Sequence, residues 1–197
     1  MSAANERRKD PEAVRGALID CAASIAAAEG LAAVTVAGVS LAAGVTKGAL
    51  FHHFSNKQAL VDAMVDRLMQ ELDAALDALI AADAMPRGSF TRAYVHAALT
   101  MDHATTRIWS ALISALTTES QVAAQWHTWM AQRLRRHADT DSDEILAIVR
   151  LAADGAWFTS LSATAAPEVL DLPALRQRLV AMTVEPPQSP SGAHHVE

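Results

Sequence analysis

Between Thr35 and Lys57 the sequence runs TVAGVSLAAGVTKGALFHHFSNK, and its polar residues are spaced for recognition rather than reaction. Thr46, Lys47, Gly48, His52 and His53 fall on one face of a short helix, which offers a hydroxyl, an ammonium, bare backbone and two imidazoles to a partner. Such a face suits the major groove of DNA, where a recognition helix meets base edges. Lys57 would add a phosphate contact. Free N–H groups at the start of this helix, and at the start of the next one opening at Ser55, would add others. Two short helices joined at Ala43-Gly44-Val45, where glycine allows a positive φ, are what would aim this face. Val36, Val39, Val45 and Leu50 are the residues available to pack them on the preceding helix.

Other chemistry is thinner. There is no G-x-S-x-G, no P-loop and no G-x-G-x-x-G, so no catalytic residue is expected. The single cysteine, Cys21, excludes an intramolecular disulfide, and a reducing cytoplasm fits it best. His96 and His103 lie seven apart and His127 stands elsewhere, so neither a metal site nor a cofactor is expected. All four tryptophans, in contrast, lie beyond residue 108. Trp109, Trp126, Trp129 and Trp157, with Met64, Tyr94, Met101 and Ile113, would line an apolar cavity as well as a core. Asp154 is set in the apolar run from Leu151 to Phe158, and two readings stand: a carboxylate facing that cavity, or a partner of Arg150 four residues earlier. The cavity would take a planar, lipophilic, aromatic compound, cationic ones included.

The elements behind these residues follow from composition. The chain has 197 residues, of which 43 are alanine and only 5% aromatic, and between Glu12 and Ala166 only Pro86 breaks it. That composition predicts an all-α protein. The longest uncharged stretch, Gly30 to Thr46, is interrupted by three glycines, so no membrane span is expected. The polar segment Ser2 to Asp10 carries no apolar signal region. Residues 1–60 hold six basic and five acidic residues, whereas residues 61–197 hold ten and seventeen. Nucleic acid is therefore excluded from the acidic body and admissible at the N-terminal segment, with its Arg7-Arg8-Lys9 arm.

Helix signals are local and frequent. Asp10-Pro11 opens the first helix and Gly30 stops it. Thr35 and Thr46 cap the two short helices, and Ser55 to Gln58 has capping-box spacing. Leu60, Met64, Leu68 and Leu72, extended by Ala75 and Leu79, make the apolar stripe of a long helix. Ser89 is the expected cap after Pro86-Arg87-Gly88, Thr118 to Gln121 has capping-box spacing, and Asp141-Ser142-Asp143-Glu144 opens another long helix. Leu172, Leu175, Leu179 and Met182 form the stripe of the last one, and the tail from Glu185 reads as disordered.

Thr35 to Leu60 resembles the N-terminal signature of the TetR family of bacterial transcriptional repressors almost position by position, and the layout of about nine helices is similar too. The resemblance implies an N-terminal three-helix helix-turn-helix head and a larger six-helix domain for ligand binding and dimerisation. It adds Thr35 and Phe51 to the DNA-facing positions. Phe51 stands where relatives often carry a tyrosine that bonds a phosphate, and Ala37, Gly38 and Ala42 replace commoner polar residues. Thr46, Lys47, His52 and the arm should then carry more of the binding.

The expected organisation is a DNA-binding domain over 10–57, a ligand-binding and dimerisation domain over 58–183, and a tail over 184–197. The expected function is that of a cytoplasmic homodimeric repressor on an inverted-repeat operator. A small lipophilic effector would release it, with an efflux or detoxification gene under its control. The last two helices would form the dimer, helped by the small residues of Ala147 to Ala163. The rival reading is an all-α carrier or enzyme without a DNA role, which leaves Thr35 to Lys57 unexplained; an activator, or a repressor without a ligand, is a further alternative.

Overall fold

A computed structural model describes residues 10–116, 120–161 and 170–184. Among them are ten α-helices and one 3-10 turn: α1 (Pro11–Glu29), the turn Leu31–Ala33, α2 (Val36–Ala42), α3 (Lys47–His53), α4 (Lys57–Ala82), α5 (Ser89–Leu99), α6 (His103–Leu116), α7 (Ser120–Arg136), α8 (Ala138–Asp141), α9 (Glu144–Leu161) and α10 (Leu172–Val184). The fold is all-α, as composition predicts. The short α8 accounts for the tenth helix. The capping-box spacing at Thr118 and the tail from Glu185 lie outside the described residues, as does the Arg7-Arg8-Lys9 arm.

The chain divides into two compact units, Met1–Leu72 with Asp102–Trp129, and Asp73–Met101 with Met130–Glu197. In the first, α1 is the hub, packing on α2, α6 and the 3-10 turn. Leu18, Ile19, Ala22, Val34, Val39, Leu50, Leu60 and Met64 are buried around it. Asp10 accepts from the Glu12 N–H at 3.1 Å, and Gly30 ends α1 at φ 86°. Gly44 takes φ 63° in the turn between α2 and α3, the left-handed region where a Cβ costs energy.

The second unit is built on α5, α9 and α10, each packed on the other two, with α8 against α5. Val95, Val149, Ala153 and Leu179 form its buried centre, with Leu175 and Met182 packed against it. Leu175, Leu179 and Met182 of the α10 stripe thus take part in this core, Leu179 alone of the three being buried. Two boundary expectations shift and a third sharpens. Asn56, not Ser55, caps α4 by accepting from the Ala59 N–H at 2.8 Å. Within the expected opening Asp141-Ser142-Asp143-Glu144, it is Asp143 that caps α9, accepting from the Ile145 N–H. Ser89 is the first residue of α5 rather than its cap; Gly88 precedes it at φ 74°. Along α4, Leu76 is buried while Ala75 is exposed, so the stripe continues from Leu72 by a step of four to Leu76 rather than by a step of three to Ala75.

Candidate functional site

The first unit presents α3 outward. The Thr46 hydroxyl accepts from the Ala49 N–H at 3.1 Å and so starts the helix, as Thr35 does for α2 through the Gly38 N–H at 3.1 Å. Leu50 is the buried anchor of α3, and Phe54 is buried just past its end. Thr46, Lys47, Gly48, Phe51 and His52 are exposed, and His53 is half-buried with its ring edge-on to His52 at 5.6 Å. Of the eight residues expected at the DNA face, Thr46, Lys47, Gly48, Phe51, His52 and His53 lie on α3 and its cap, Thr35 caps α2, and Lys57 opens α4. Among the described residues, no ion pair engages a side chain of α2 or α3. Thr35 and Thr46 spend their hydroxyl lone pairs on caps, so their first role is to hold the helices.

Lys57 sits differently. Its ammonium donates to the Ala32 carbonyl at 3.3 Å, fastening the start of α4 to the 3-10 turn while leaving two of its three N–H donors for another acceptor. Further ties hold the head: Arg15 lies over the Phe54 ring at 5.1 Å, Arg67 pairs with Asp20, and the Arg107 guanidinium donates to the Ala27 carbonyl at 3.2 Å, near the end of α1. Cys21 is half-buried, and burial together with neighbouring Asp20 pushes its thiol above the usual range.

The nine residues expected to hold a ligand separate by unit. In the first, Trp109 and Trp126 meet edge-on with centroids 6.0 Å apart, and Trp126 and Trp129 lie 5.0 Å apart at 32°. Met64 is fully buried and Ile113 half-buried. The compact unit that carries the reading helices thus also carries three of the four tryptophans.

In the second unit, the Tyr94 hydroxyl donates to Asp154 at 2.6 Å. Burial raises the Asp154 carboxyl above the usual carboxylate range, while the Tyr94 bond and the Arg150 charge act against it. Tyr94 is pushed well above 10.0, first by burial and then by the neighbouring Asp154 charge. Arg150 is not the hydrogen-bonded partner of Asp154. It donates instead to Thr91 Oγ1 at 2.6 Å and lies 4.0 Å from Asp141. Trp157 is half-buried, and its indole N–H has no partner among the described residues. Met101, also half-buried, ends this stretch before α6.

One residue that sequence reasoning missed organises this unit. Asp141 is 2% exposed and accepts from the Thr91 N–H at 2.8 Å, the Thr91 hydroxyl at 2.6 Å and the Thr140 hydroxyl at 2.8 Å. It caps α5 from 50 residues downstream, a pairing no local spacing can announce. No group of three His, Cys, Asp or Glu side chains that could hold a metal occurs among the described residues, and no helix there is long and apolar enough to cross a membrane.

Residues 18–64 match the family profile of bacterial regulatory proteins of the tetR family, and residues 88–184 match a tetracyclin repressor-like C-terminal domain. The chain belongs to the TetR family. Among curated relatives it is 40% identical over 58 residues to the HTH-type transcriptional repressor KstR2 of Rhodococcus jostii, covering 29% of this chain and 28% of that one. The chain thus spans about a third or less of that relative's length. A crystal structure of a transcriptional regulator from Rhodococcus sp. Rha1 superposes with a TM-score of 0.65 at 23% identity, over 89% of this chain and 95% of that one. The multidrug binding protein EbrR complexed with malachite green superposes with a TM-score of 0.64 at 20% identity, over 86% and 97%. These likenesses at low identity concern the fold.

Proposed function

We propose that this protein is a transcriptional repressor that binds an inverted-repeat operator as a homodimer and lets go when it takes up a lipophilic aromatic effector. One observation carries the DNA reading: the outward face of α3, with Lys47, Gly48, Phe51 and His52 exposed and none of them in an ion pair within the described chain. Lysine and histidine held outward on a recognition helix, above a buried Leu50, are arranged for a polyanion with readable base edges. The matching relative KstR2 is named a transcriptional repressor, which favours repression over activation.

Dimerisation is supported by α9. Ile148, Leu151 and Phe158 are 49%, 70% and 61% exposed, and they recur along one face with Gly155 between the last two. Contiguous exposed apolar residues on a helix are a surface for another chain, and two-fold symmetry in the protein asks for an inverted repeat in the DNA.

The effector reading rests on the indole cluster of Trp109, Trp126 and Trp129 and on the pair of buried Tyr94 and half-buried Asp154. Aromatic faces and a shielded carboxylate favour a planar ligand and tolerate a cationic one. Release follows if the ligand prefers the conformation in which the two heads are wrongly spaced for DNA. The regulated gene would then be a neighbouring efflux or detoxification gene. The test is a gel shift with the DNA upstream of the protein's own gene and its neighbour, followed by titration with malachite green. Saturable quenching of tryptophan fluorescence in step with operator release is the expected outcome. No shift with any upstream DNA would refute the repressor reading, and quenching without release would remove the cluster from the switch.

A further inference from the structure

The outward face of α3 has an unusual inventory. It carries no arginine, asparagine or glutamine, the side chains that read guanine or adenine by paired hydrogen bonds. What it does carry, beside Lys47 and His52, is an apolar ring: Phe51 is 50% exposed. A half-exposed phenyl group on a seven-residue helix contributes little to that helix's own packing, which Leu50 and Phe54 supply.

Gly48 is the second oddity. A Cβ built there would meet nothing nearer than Thr46 Oγ1 at 3.8 Å, an ordinary contact, so the fold itself does not require glycine at this position. Residues three apart are neighbours on a helix surface, and helical side chains lean toward the N-terminus. The ring of Phe51 therefore lies over the turn that holds Lys47 and Gly48, with bare backbone beside it. The result is a step: an apolar wall next to a shallow floor, with an ammonium at its edge.

The base edge that fits an apolar wall in the major groove is thymine, through its C5-methyl group. We infer that Phe51 and Gly48 form a thymine-reading step, with the methyl against the phenyl ring and the base edge reaching close to the backbone at residue 48. This rests on the proposed DNA-binding role of α3. It gives the missing tyrosine hydroxyl a consequence: a phosphate contact is exchanged for a methyl contact, and specificity moves toward T-containing half-sites.

The experiment uses the full-length protein and an operator recovered by selection from a random duplex pool. Each thymine is replaced in turn by deoxyuridine, which removes only the methyl, and affinity is measured for wild type and for Phe51→Ala. One symmetric pair of positions should lose roughly fourfold per half-site in wild type, about the transfer free energy of one buried methyl-sized group. In Phe51→Ala the thymine and uracil duplexes should bind equally, with circular dichroism unchanged. Gly48→Ala should weaken binding to the thymine duplex more than to one with that base pair changed. If every thymine-to-uracil change is neutral in wild type, or if the loss persists in Phe51→Ala, the step does not exist although the head still binds DNA. If selection returns no preferred sequence, the DNA-binding role fails with it.

Discussion

The α2–α3 region and the α5–α9–α10 unit handle charge in opposite ways. On α2 and α3 no described side chain is ion-paired, and the polar groups that face outward are held by backbone caps and by Leu50 beneath them. In the second unit almost every buried arginine is committed. Arg92 donates to Asp83 at 2.6 Å and to the Met85 and Arg87 carbonyls, Arg133 bonds Asp73 and Asp77, and Arg150 bonds Thr91 near Asp141. A charge already satisfied within the chain has little left for a ligand, whereas an exposed unpaired one costs nothing to keep until a polyanion arrives. Charge in the second unit is architecture; on α3 it is left free in the described chain, as the proposed DNA-binding role requires.

The largest effect that tests this contrast is loss of the buried carboxylate. Asp141→Ala strips the acceptor from the Thr91 N–H and hydroxyl and takes from the buried Arg150 the nearer of its two carboxylate neighbours. Removing one partner of such a buried pair costs about 3–5 kcal/mol, so the urea midpoint should fall steeply. Lys47→Ala should leave that midpoint where it is. Equal midpoints for Asp141→Ala and wild type would show that water replaces the carboxylate, and the contrast would lose its second half.

Next comes the difference between an inward and an outward apolar face. Leu179 is 4% exposed and Leu151 70% exposed. Leu179→Glu buries a charge in the core shared with Val95, Val149 and Ala153, and it should prevent folding. Leu151→Glu should fold normally and sediment as a monomer. A dimeric Leu151→Glu would place the interface away from this face of α9.

These two positions also show what sequence could and could not say. Asp10-Pro11, Thr35, Thr46 and Gly44 are local signals, read within four residues of where they act, and the structure places each cap and turn at those residues. The exposure of Thr46, Lys47, Gly48, Phe51 and His52 was legible for the same reason: caps and a glycine turn fix the register of a short helix. The α10 stripe was legible as a stripe but not as facing inward, because periodicity marks a buried face without naming what buries it. The helix opening at Asp141-Ser142-Asp143-Glu144 was legible, but the bond from Asp141 to Thr91 was not, since Thr91 lies 50 residues upstream. The four-residue spacing at Ser55 to Gln58 suggested a capping box, and Asn56 wins because it stands three residues before Ala59, whose N–H its side-chain oxygen accepts.

A smaller effect separates two lysines of the head. Lys47→Ala should reduce operator affinity roughly tenfold while sparing folding and dimerisation, as loss of a base-edge contact does. Lys57→Ala should act less on affinity, because part of its role is to hold Ala32, and more on the salt slope, which should fall by about one phosphate. An unchanged slope would assign Lys57 wholly to the fold.

The smallest effect, and the one that decides whether the second unit also keeps a charge in reserve, concerns Asp154. Its carboxyl titrates above the ordinary 3.8 because burial disfavours the ionised form. The stability that this raised value contributes is fully present below 3.8 and is lost as pH rises through the raised value, when the folded chain must ionise a half-buried group. Asp154→Asn removes that dependence, so relative to wild type it should gain stability on going from acid to neutral pH. The gain will be slight, since the Tyr94 hydroxyl and the Arg150 charge already favour the ionised form. Tyr94 is the only tyrosine in the chain, so alkaline absorbance titration reports it alone. Without the Asp154 charge its elevated titration should move back toward 10.0. In the proposed effector role, Asp154→Asn should also weaken malachite green more than a neutral dye of similar shape, because only the cation uses the carboxylate. Equal losses for both dyes, with the Tyr94 titration displaced, would make Asp154 a packing partner of Tyr94 and leave the indole cluster of the first unit as the place to look for the ligand.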